Sequence, residues 1–263
     1  MNARAEAGRL AVGQGAEARE IAWIALPATA AGADLPTIVW LGGFKSDMTG
    51  TKATALEDFA AQTGRACLRF DYSGHGASGG DFEDGTISRW LEESLAVIRA
   101  KTKGRLTLVG SSMGGWIALL AARALAAAGE EDRIAGMALI APAVDFTATL
   151  MEPGLSKKAK AEIEKTGKWM RPSEYSPDPY PITKKLLEDG RNHLIFGTAI
   201  RTYGPAHILQ GMQDPDVPWK HALALVEHLA DDPATLSFIR DGDHRLSREQ
   251  DIARLISAVA EIK

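Results

Sequence analysis

The chain has 263 residues, of which 45% are apolar and 24% are charged, a balance typical of a soluble globular protein. A chain of this length buries a sizeable core and needs no disulfides to hold it. The formal net charge is −4 at pH 7, and there is no basic patch with interleaved aromatic residues, so we expect no nucleic-acid partner.

The sequence favours a cytoplasmic protein. Cys67 is the single cysteine, so an internal disulfide is excluded, which fits a reducing compartment. The N-terminal residues lack the apolar core of a secretory signal, and their glutamates argue against a transit peptide. No apolar stretch approaches the ~20 residues that a bilayer crossing needs, so we expect no membrane span.

Short apolar runs alternate with longer helical periods, which predicts βαβ units and a mainly parallel sheet. In chain order the predicted elements are strands 21–26 and 37–41, helix 51–63, strand 66–70, helix 87–101 capped by Thr86, strand 106–109, helix 113–128, strand 134–141 and, after a break, strand 207–210, helix 221–229, strand 235–239 and helix 252–262.

The rhythm breaks between 144 and 204, a stretch rich in proline. Within it, a lysine-rich segment at 155–170 places Leu155, Ala159, Ile163 and Met170 roughly on one helical face. Long excursions in compact domains are usually lids or binding loops. We therefore predict a single domain over 1–263 with a small helical cap inserted at about 145–204. The alternative is a plain surface excursion of short helices.

A serine in a strand–turn–helix context is the central motif. The run LTLVGSSMGGW, at 106–116, contains G-x-S-x-G as Gly110, Ser112 and Gly114, with an apolar strand before it and a helix after it. Only Ser112 has glycines at both −2 and +2, so the frame selects it over Ser111. Its hydroxyl is expected at the carboxyl end of the sheet, where open α/β sheets bind ligands. The alternative is a chance Gly/Ser turn.

A serine needs an adjacent base, and in proteins with this motif an acid and then a histidine follow it in the chain. The run ILQGMQDPDVPW offers Asp214 and Asp216 after a strand. We favour Asp214, three residues before the valine of a Val-Pro pair, and assign Asp216 to a turn or helix cap. His244 lies in a polar loop before the last helix, from which it can reach Ser112 while its other nitrogen faces Asp214.

Two donors are expected to stabilise the oxyanion that forms on attack. One is the backbone N–H after the nucleophile, at Met113. The other comes from the loop WLGGFKSD after an early strand, where Gly42 and Gly43 let the backbone aim an amide inward. We predict Phe44 N–H as this donor. The alternative is a tight Gly-Gly turn without a catalytic role.

The other histidines and the cysteine are interpreted as structural. His75, flanked by glycines in DYSGHGASGG, is interpreted as a loop-ordering residue, and Cys67 as a buried strand residue. His221 and His228, seven apart on a predicted helix, are interpreted as surface residues. No motif surrounds His193 or His207.

The runs WLGGFKSDMTGTKA, FDYSGHGASGG, GSSMGGW, GMQDPDVPW and GDHRLS together resemble the α/β-hydrolase superfamily over almost the whole chain. They look more specifically like the branch of palmitoyl-protein thioesterases and acyl-glucuronide esterases and its bacterial relatives. The resemblance implies a mainly parallel central sheet flanked by helices. It also implies Ser112, Asp214 and His244 as a triad, Phe44 and Met113 as oxyanion donors, and small-molecule or acyl-protein esters or thioesters as substrates.

The resulting hypothesis is a serine hydrolase that works through an acyl-enzyme and needs no metal or organic cofactor. Trp169, Met170, Tyr175 and Tyr180 of the cap are candidates for an acyl pocket, or form the cap's own small core. A carbon–carbon bond hydrolase or a perhydrolase would use the same triad. A serine nucleophile argues against epoxide hydrolases and dehalogenases, and a complete triad argues against a non-catalytic binding protein. The sequence does not indicate an oligomeric state.

Overall fold

A computed structural model describes residues 4–172, 178–230 and 232–263. Within these ranges, the strands are β1 Glu6–Val12, β2 Arg19–Leu26, β3 Thr37–Leu41, β4 Cys67–Phe70, β5 Leu106–Ser111, β6 Ile134–Ile140, β7 Lys168–Arg171, β8 Tyr180–Thr183, β9 Ala206–Gly211 and β10 Ala234–Ile239. The α-helices are α1 Thr51–Thr63, α2 Ile87–Lys101, α3 Met113–Ala127, α4 Glu152–Gly154, α5 Lys157–Thr166, α6 Lys184–Gly190, α7 Trp219–His228 and α8 Glu249–Glu261.

Eight of the strands form one sheet in the order β1-β2-β4-β3-β5-β6-β9-β10. The pairs β1–β2 and β2–β4 are antiparallel, and every pair from β4 to β10 is parallel. The predicted fold class, a mainly parallel sheet flanked by helices, is confirmed. Because parallel strands end at the same edge, the segments that follow β3, β5, β9 and β10 meet there.

Helices cover both faces of the sheet, and successive residues of a strand belong to opposite faces. In β3, Val39 and Leu41 join the buried cluster that includes α2 and α3, whereas Ile38 and Trp40 join the cluster under α1 and α8. A strand buried on both faces reads as a continuous apolar run, which is why TIVWL shows no alternation. The Ala-rich α3 is buried around most of its circumference.

The predicted core elements are present, with boundaries that shift by up to three residues. Thr86 caps α2 as predicted, its hydroxyl accepting a hydrogen bond from the N–H of Arg89 at 3.2 Å. The edge strand β1 was not predicted, because its sequence EAGRLAV is mostly exposed and contains a glycine. It pairs with β2 from Glu6 to Val12 and extends the sheet.

The segment between β6 and β9 contains a π-helical turn at Thr147–Met151, three α-helices and the antiparallel pair β7–β8. The predicted helical face is correct for Ala159 and Ile163, which α5 buries, but it is wrong for Met170. The helix ends at Gly167, which has φ 82°, and Met170 lies in β7 with 40% exposure. The division into one domain with an insertion at about 145–204 stays a prediction.

A buried ion pair ties β2 to α2. Arg19 Nε donates to Glu93 Oε1 at 2.6 Å, and Glu93 is fully buried and also accepts from Ser73 N–H at 2.8 Å. Arg19 also pairs with Glu92, whose side chain is 57% exposed.

We expect Glu93→Gln to lower the free energy of unfolding by ~3 kcal/mol, because it leaves the buried Arg19 guanidinium without its buried counter-charge. Glu92→Gln, which removes the exposed partner of the same arginine, should cost less than ~1 kcal/mol. Urea unfolding of both variants beside the wild type measures the difference. Equal losses for the two variants would show that burial of the pair has no special weight.

Candidate active site

Ser112 occupies the sharp turn between β5 and α3. Its backbone has φ 55° and ψ −119°, a conformation that non-glycine residues rarely adopt. Hydrogen bonds from both of its backbone polar groups hold it there: Ser112 N–H donates to Ile140 O at 2.8 Å, and Ser112 O accepts from Gly115 N–H at 2.9 Å and Ala143 N–H at 3.0 Å. The turn is therefore braced by β6 and the residues that follow it.

The glycines of the motif are required by space. A Cβ on Gly114 would lie 2.0 Å from Leu41 O, and one on Gly110 would lie 2.3 Å from Gly114 O. Both are contacts with backbone, which cannot rotate away as a side chain can. The small residues at −2 and +2 allow the turn at Ser112 to pack directly against the end of β3.

His244 lies in the loop between β10 and α8, and its ring joins the serine to the acid. Its Nε2 is 3.1 Å from Ser112 Oγ and its Nδ1 is 2.8 Å from Asp214 Oδ2. Because a carboxylate only accepts hydrogen bonds, the tautomer that satisfies both contacts carries hydrogen on Nδ1 and leaves Nε2 free to accept the serine proton. The three predicted residues are therefore together in one hydrogen-bonded row.

Lys52 of α1 binds the loop that follows His244. Its ammonium donates to Arg245 O and, at 3.3 Å, to Ser247 Oγ. Burial, followed by the positive charge of Arg245, lowers the pKa of Lys52 to about 8. This contact links the loop after His244 to a helix that packs on the sheet.

Asp214 is buried in the turn after β9 and is oriented by backbone amides. Its Oδ1 accepts from Asp216 N–H and Val217 N–H, each at 2.8 Å, and its Oδ2 accepts from Gln210 Nε2 at 3.3 Å as well as from His244. Asp216 thus contributes its backbone N–H to this turn, and the hydrogen bond to the histidine is made by Asp214.

The Gly-Gly loop runs beside the serine. A Cβ on Gly43 would lie 3.2 Å from Ser111 O and 3.4 Å from Ser112 Cβ. Ser46 closes the loop by donating both its N–H, at 3.1 Å, and its hydroxyl, at 2.8 Å, to Gly43 O. Phe44 follows Gly43 directly, so its N–H belongs to the backbone beside Ser112.

Met113 is the first residue of α3, where helix N–H groups have no partner within the helix and the helix dipole favours negative charge. Both predicted oxyanion donors therefore lie near Ser112. Met113 follows it in the chain, and Phe44 belongs to the loop that runs beside it. Their role in binding an oxyanion stays a prediction.

The predicted substrate contacts are only partly brought together. The ring of Tyr180 packs against that of Phe44, with ring centroids 5.7 Å apart, and Trp169 is partly buried against the hydrophobic core. Met170 alternates with Trp169 along β7, faces the other side of that strand and is 40% exposed. Tyr175 lies outside the described residues.

His221 and His228 were predicted to be ordinary surface residues, and this prediction is wrong. His221 Nε2 is 2.9 Å from Val144 O, His228 Nδ1 is 2.8 Å from Ala224 O, and both rings lie 5.1 Å from the ring of Phe196. Burial lowers the pKa of His221. The seven-residue spacing puts both on one face of α7, and the aromatic partner comes from a distant segment that the pattern does not show.

The interpretation of Cys67 as a buried strand residue is confirmed. It lies in β4 with 1% exposure, and burial raises the pKa of its thiol to about 12. A thiol held neutral in this way is a poor nucleophile.

Residues 13–258 match the sequence profile of the Alpha/beta hydrolase family. The chain belongs to the alpha/beta hydrolase family. This finding confirms the resemblance inferred from the motifs around Ser112, Asp214 and His244.

Related proteins show which part of the family this alpha/beta hydrolase is similar to. The mitochondrial palmitoyl-protein thioesterase ABHD10 of Homo sapiens is 32% identical over 228 residues, which are 86% of this chain and 72% of that protein. Alpha/beta hydrolase domain-containing protein 10 from mouse superposes with a TM-score of 0.83 at 29% identity, with 97% of each chain covered. A crystal structure of a protein from Agrobacterium vitis S4, provisionally called a hydrolase, has a TM-score of 0.95 at 52% identity and covers 99% of this chain and 100% of that one.

The acidic side of this alpha/beta hydrolase site contains residue types that can also bind metal ions. Asp214, Asp216 and His244 are the one group of three potential ligands, among the described residues, whose ligand atoms lie within 4.8 Å of one another. Within this group, His244 Nδ1 and Asp214 Oδ2 are already joined by a hydrogen bond. A metal ion would have to break it, so the arrangement fits an oriented histidine better than a metal centre.

Along the described ranges, no helix of this alpha/beta hydrolase is both long and apolar enough to cross a bilayer. The helix that follows the serine, α3, has 15 residues, which is shorter than the ~20 that a bilayer crossing needs. Its apolar surface is buried by the sheet and by α2.

We expect Gly114→Ala to lower the free energy of unfolding by more than ~2 kcal/mol, because the added Cβ meets backbone oxygen at the end of β3. The matched control is Gly154→Ala, whose Cβ meets nothing within 4 Å and which should change stability by less than ~0.5 kcal/mol. Urea denaturation of the two variants tests this. A Gly114→Ala protein as stable as the control would contradict the steric account of the motif.

Proposed function

We propose that this alpha/beta hydrolase is a serine hydrolase that cleaves carboxylic esters or thioesters through an acyl-enzyme. The observation that carries the proposal is the hydrogen-bonded row from Ser112 Oγ through the ring of His244 to the buried carboxylate of Asp214, with distances of 3.1 and 2.8 Å. Such a row supplies a nucleophile, its base and the group that orients the base.

In the first half of the reaction, Ser112 Oγ attacks the substrate carbonyl carbon while its proton passes to Nε2 of His244. Asp214 stabilises the imidazolium that results and keeps the ring in its orientation. The carbonyl oxygen becomes an oxyanion that accepts hydrogen bonds from Phe44 N–H and Met113 N–H. When the C–O or C–S bond breaks, the alcohol or thiol leaves with the proton from Nε2.

In the second half, a water molecule gives a proton to His244 Nε2 and its oxygen attacks the acyl carbon. The same two backbone donors hold the second oxyanion. As the bond to Ser112 breaks, Nε2 returns its proton to Oγ and the carboxylic acid is released. Apart from the substrate and one water molecule, the proposed chemistry uses only groups of the chain, and the serine returns to its starting state.

Apolar acyl groups are the proposed substrates. Phe44 directly follows Gly43, whose backbone lies beside the serine. The ring of Phe44 lies 5.9 Å from that of Phe146 and 5.7 Å from that of Tyr180, so this residue belongs to an aromatic cluster. Aromatic and apolar surfaces of this kind bind hydrocarbon chains by burying them from water. The similarity to the palmitoyl-protein thioesterases named above supports acyl thioesters, on a small molecule or on a protein, beside esters.

We expect Ser112→Ala to lose hydrolysis of p-nitrophenyl acyl esters and acyl-CoA thioesters by ~10⁴-fold or more, because no other group replaces the nucleophile. Ser111→Ala, one residue earlier, should stay within about tenfold of the wild type. Steady-state rates on acyl chains of graded length measure both the loss and the preferred chain.

Fluorophosphonate labelling gives an independent readout of the same assignment, since it should modify the wild type and leave Ser112→Ala unmodified. A Ser112→Ala protein that still hydrolyses these substrates would sink the proposal. A wild type that is labelled but turns over none of them would keep the nucleophile and point to a different substrate.

The two aspartates make a second test. We expect Asp214→Asn to lower kcat by ~10³- to 10⁴-fold, since an amide cannot orient and stabilise the histidine as a carboxylate does. Asp216→Asn keeps the backbone N–H that Asp214 uses and should lower kcat less than tenfold. Rates at saturating substrate decide between them, and the reverse order would transfer the role to Asp216.

A further inference from the structure

His75 is a buried histidine outside the hydrogen-bonded row of Ser112, His244 and Asp214. It lies in the loop after β4 with 4% exposure, and both ring nitrogens have backbone partners. Nδ1 is 3.1 Å from Ser73 O, and Nε2 is 3.1 Å from Lys45 N. Since a carbonyl only accepts and an amide N–H only donates, the ring must carry its hydrogen on Nδ1 and accept at Nε2.

Its surroundings keep the ring neutral and fixed. The rings of Tyr72, Phe82 and Trp90 lie 5.6, 5.1 and 5.3 Å from it. Burial, opposed by the hydrogen bond to Ser73 O and assisted by the positive charge of Lys45, lowers the pKa of His75 to about 4. A neutral imidazole with one acceptor nitrogen is thus maintained across the neutral pH range.

The residue that His75 binds is next to a predicted oxyanion donor. Lys45 has φ 62°, a left-handed conformation that is unfavourable for a lysine and needs support from its surroundings. Its N–H belongs to the peptide on the carboxyl side of Phe44, whereas the proposed donor N–H belongs to the peptide on the amino side. Fixing the first peptide restrains the dihedral angles of Phe44 and therefore the direction of the second.

The side chain of Phe44 is held by the same cluster. Its ring lies 4.9 Å from Phe82 and 6.0 Å from Trp90, two of the rings that enclose His75. Backbone and side chain of Phe44 are therefore positioned by a set of contacts that has the imidazole at its centre.

We infer that His75 is a positioning residue for the oxyanion hole, which aims the Phe44 N–H at the substrate oxygen by accepting a hydrogen bond from Lys45 N–H. The inference rests on the proposed serine-hydrolase function and adds a residue to it. A merely structural histidine would support folding, but its acceptor nitrogen would have no separate effect on the rate.

Two substitutions separate these roles. His75→Gln can place an amide oxygen near the position of Nε2 and keep an acceptor for Lys45 N–H. His75→Asn can place an amide N–H near Nδ1, so it keeps the donor to Ser73 O and leaves Lys45 N–H without its partner. The two side chains are similar in polarity, and His207→Asn, at the other end of the sheet on β9, controls for a general effect of replacing histidine by asparagine.

We expect His75→Asn to lower kcat by ~10- to 100-fold with KM within about threefold of the wild type. A misdirected Phe44 N–H should lower the rate less than the removal of an oxyanion donor, which lowers it by about 10²- to 10³-fold. Its affinity for an alkyl boronic acid, which forms a tetrahedral adduct with the serine, should fall by a similar factor. His75→Gln should recover most of both losses, and His207→Asn should behave as the wild type.

Equal kcat losses in His75→Gln and His75→Asn, or an unchanged kcat in a folded His75→Asn, would overturn the inference. If His75→Asn does not melt cooperatively, nitrogen NMR of the wild type with labelled histidine replaces it, and an Nε2 of His75 that carries a proton at pH 7 overturns the acceptor role. An active Ser112→Ala would instead refute the proposed function, whatever the His75 variants do.

Discussion

Ser112 holds its side chain at the tip of a turn whose backbone conformation costs of the order of 1–3 kcal/mol, and the rest of the site is arranged around keeping it there. Such a conformation persists only where several contacts determine it together. Here Ile140 at the end of β6 supplies an acceptor, Ala143 in the segment that follows supplies a donor, and the end of β3 leaves just enough room for Gly114. The strand order that places β5 between β3 and β6 is therefore what makes the turn possible.

The same strand order brings together the serine, the aspartate and the histidine, which are far apart in the sequence. Asp214 follows β9 and His244 follows β10, two neighbouring parallel strands whose carboxyl ends lie at the edge where β5 also ends. The acid is oriented by backbone N–H groups and by Gln210. Its hydrogen bonds therefore depend on the shape of the turn that contains Asp216 and the buried Val217.

The sequence predicted most of this because the chemistry of the site is local in the chain. A serine between two glycines, a carboxylate before a Val-Pro pair and a histidine in a loop each lie at the end of a recognisable strand. What it missed depends on tertiary contacts or on exposure. The strand β1 is a mostly exposed edge, the helical face at 155–170 stops at Gly167, and the half-buried His221 packs against an aromatic ring from another segment. None of these features produces a periodic pattern of apolar residues in the local sequence.

Phe44 connects the proposed catalytic site to the segment between β6 and β9. Its backbone lies beside Ser112, while its ring packs against the rings of Phe82 and of Tyr180 on β8. That segment is itself tied to the turn that contains Phe82, since Lys168 pairs with Glu83 at 2.5 Å. The proposed substrate contacts and the proposed oxyanion donor thus share one residue. We therefore expect a substitution in this segment that displaces the ring of Phe44 to alter both binding of the proposed acyl group and the rate of its transfer, because the ring and the proposed oxyanion donor belong to one residue.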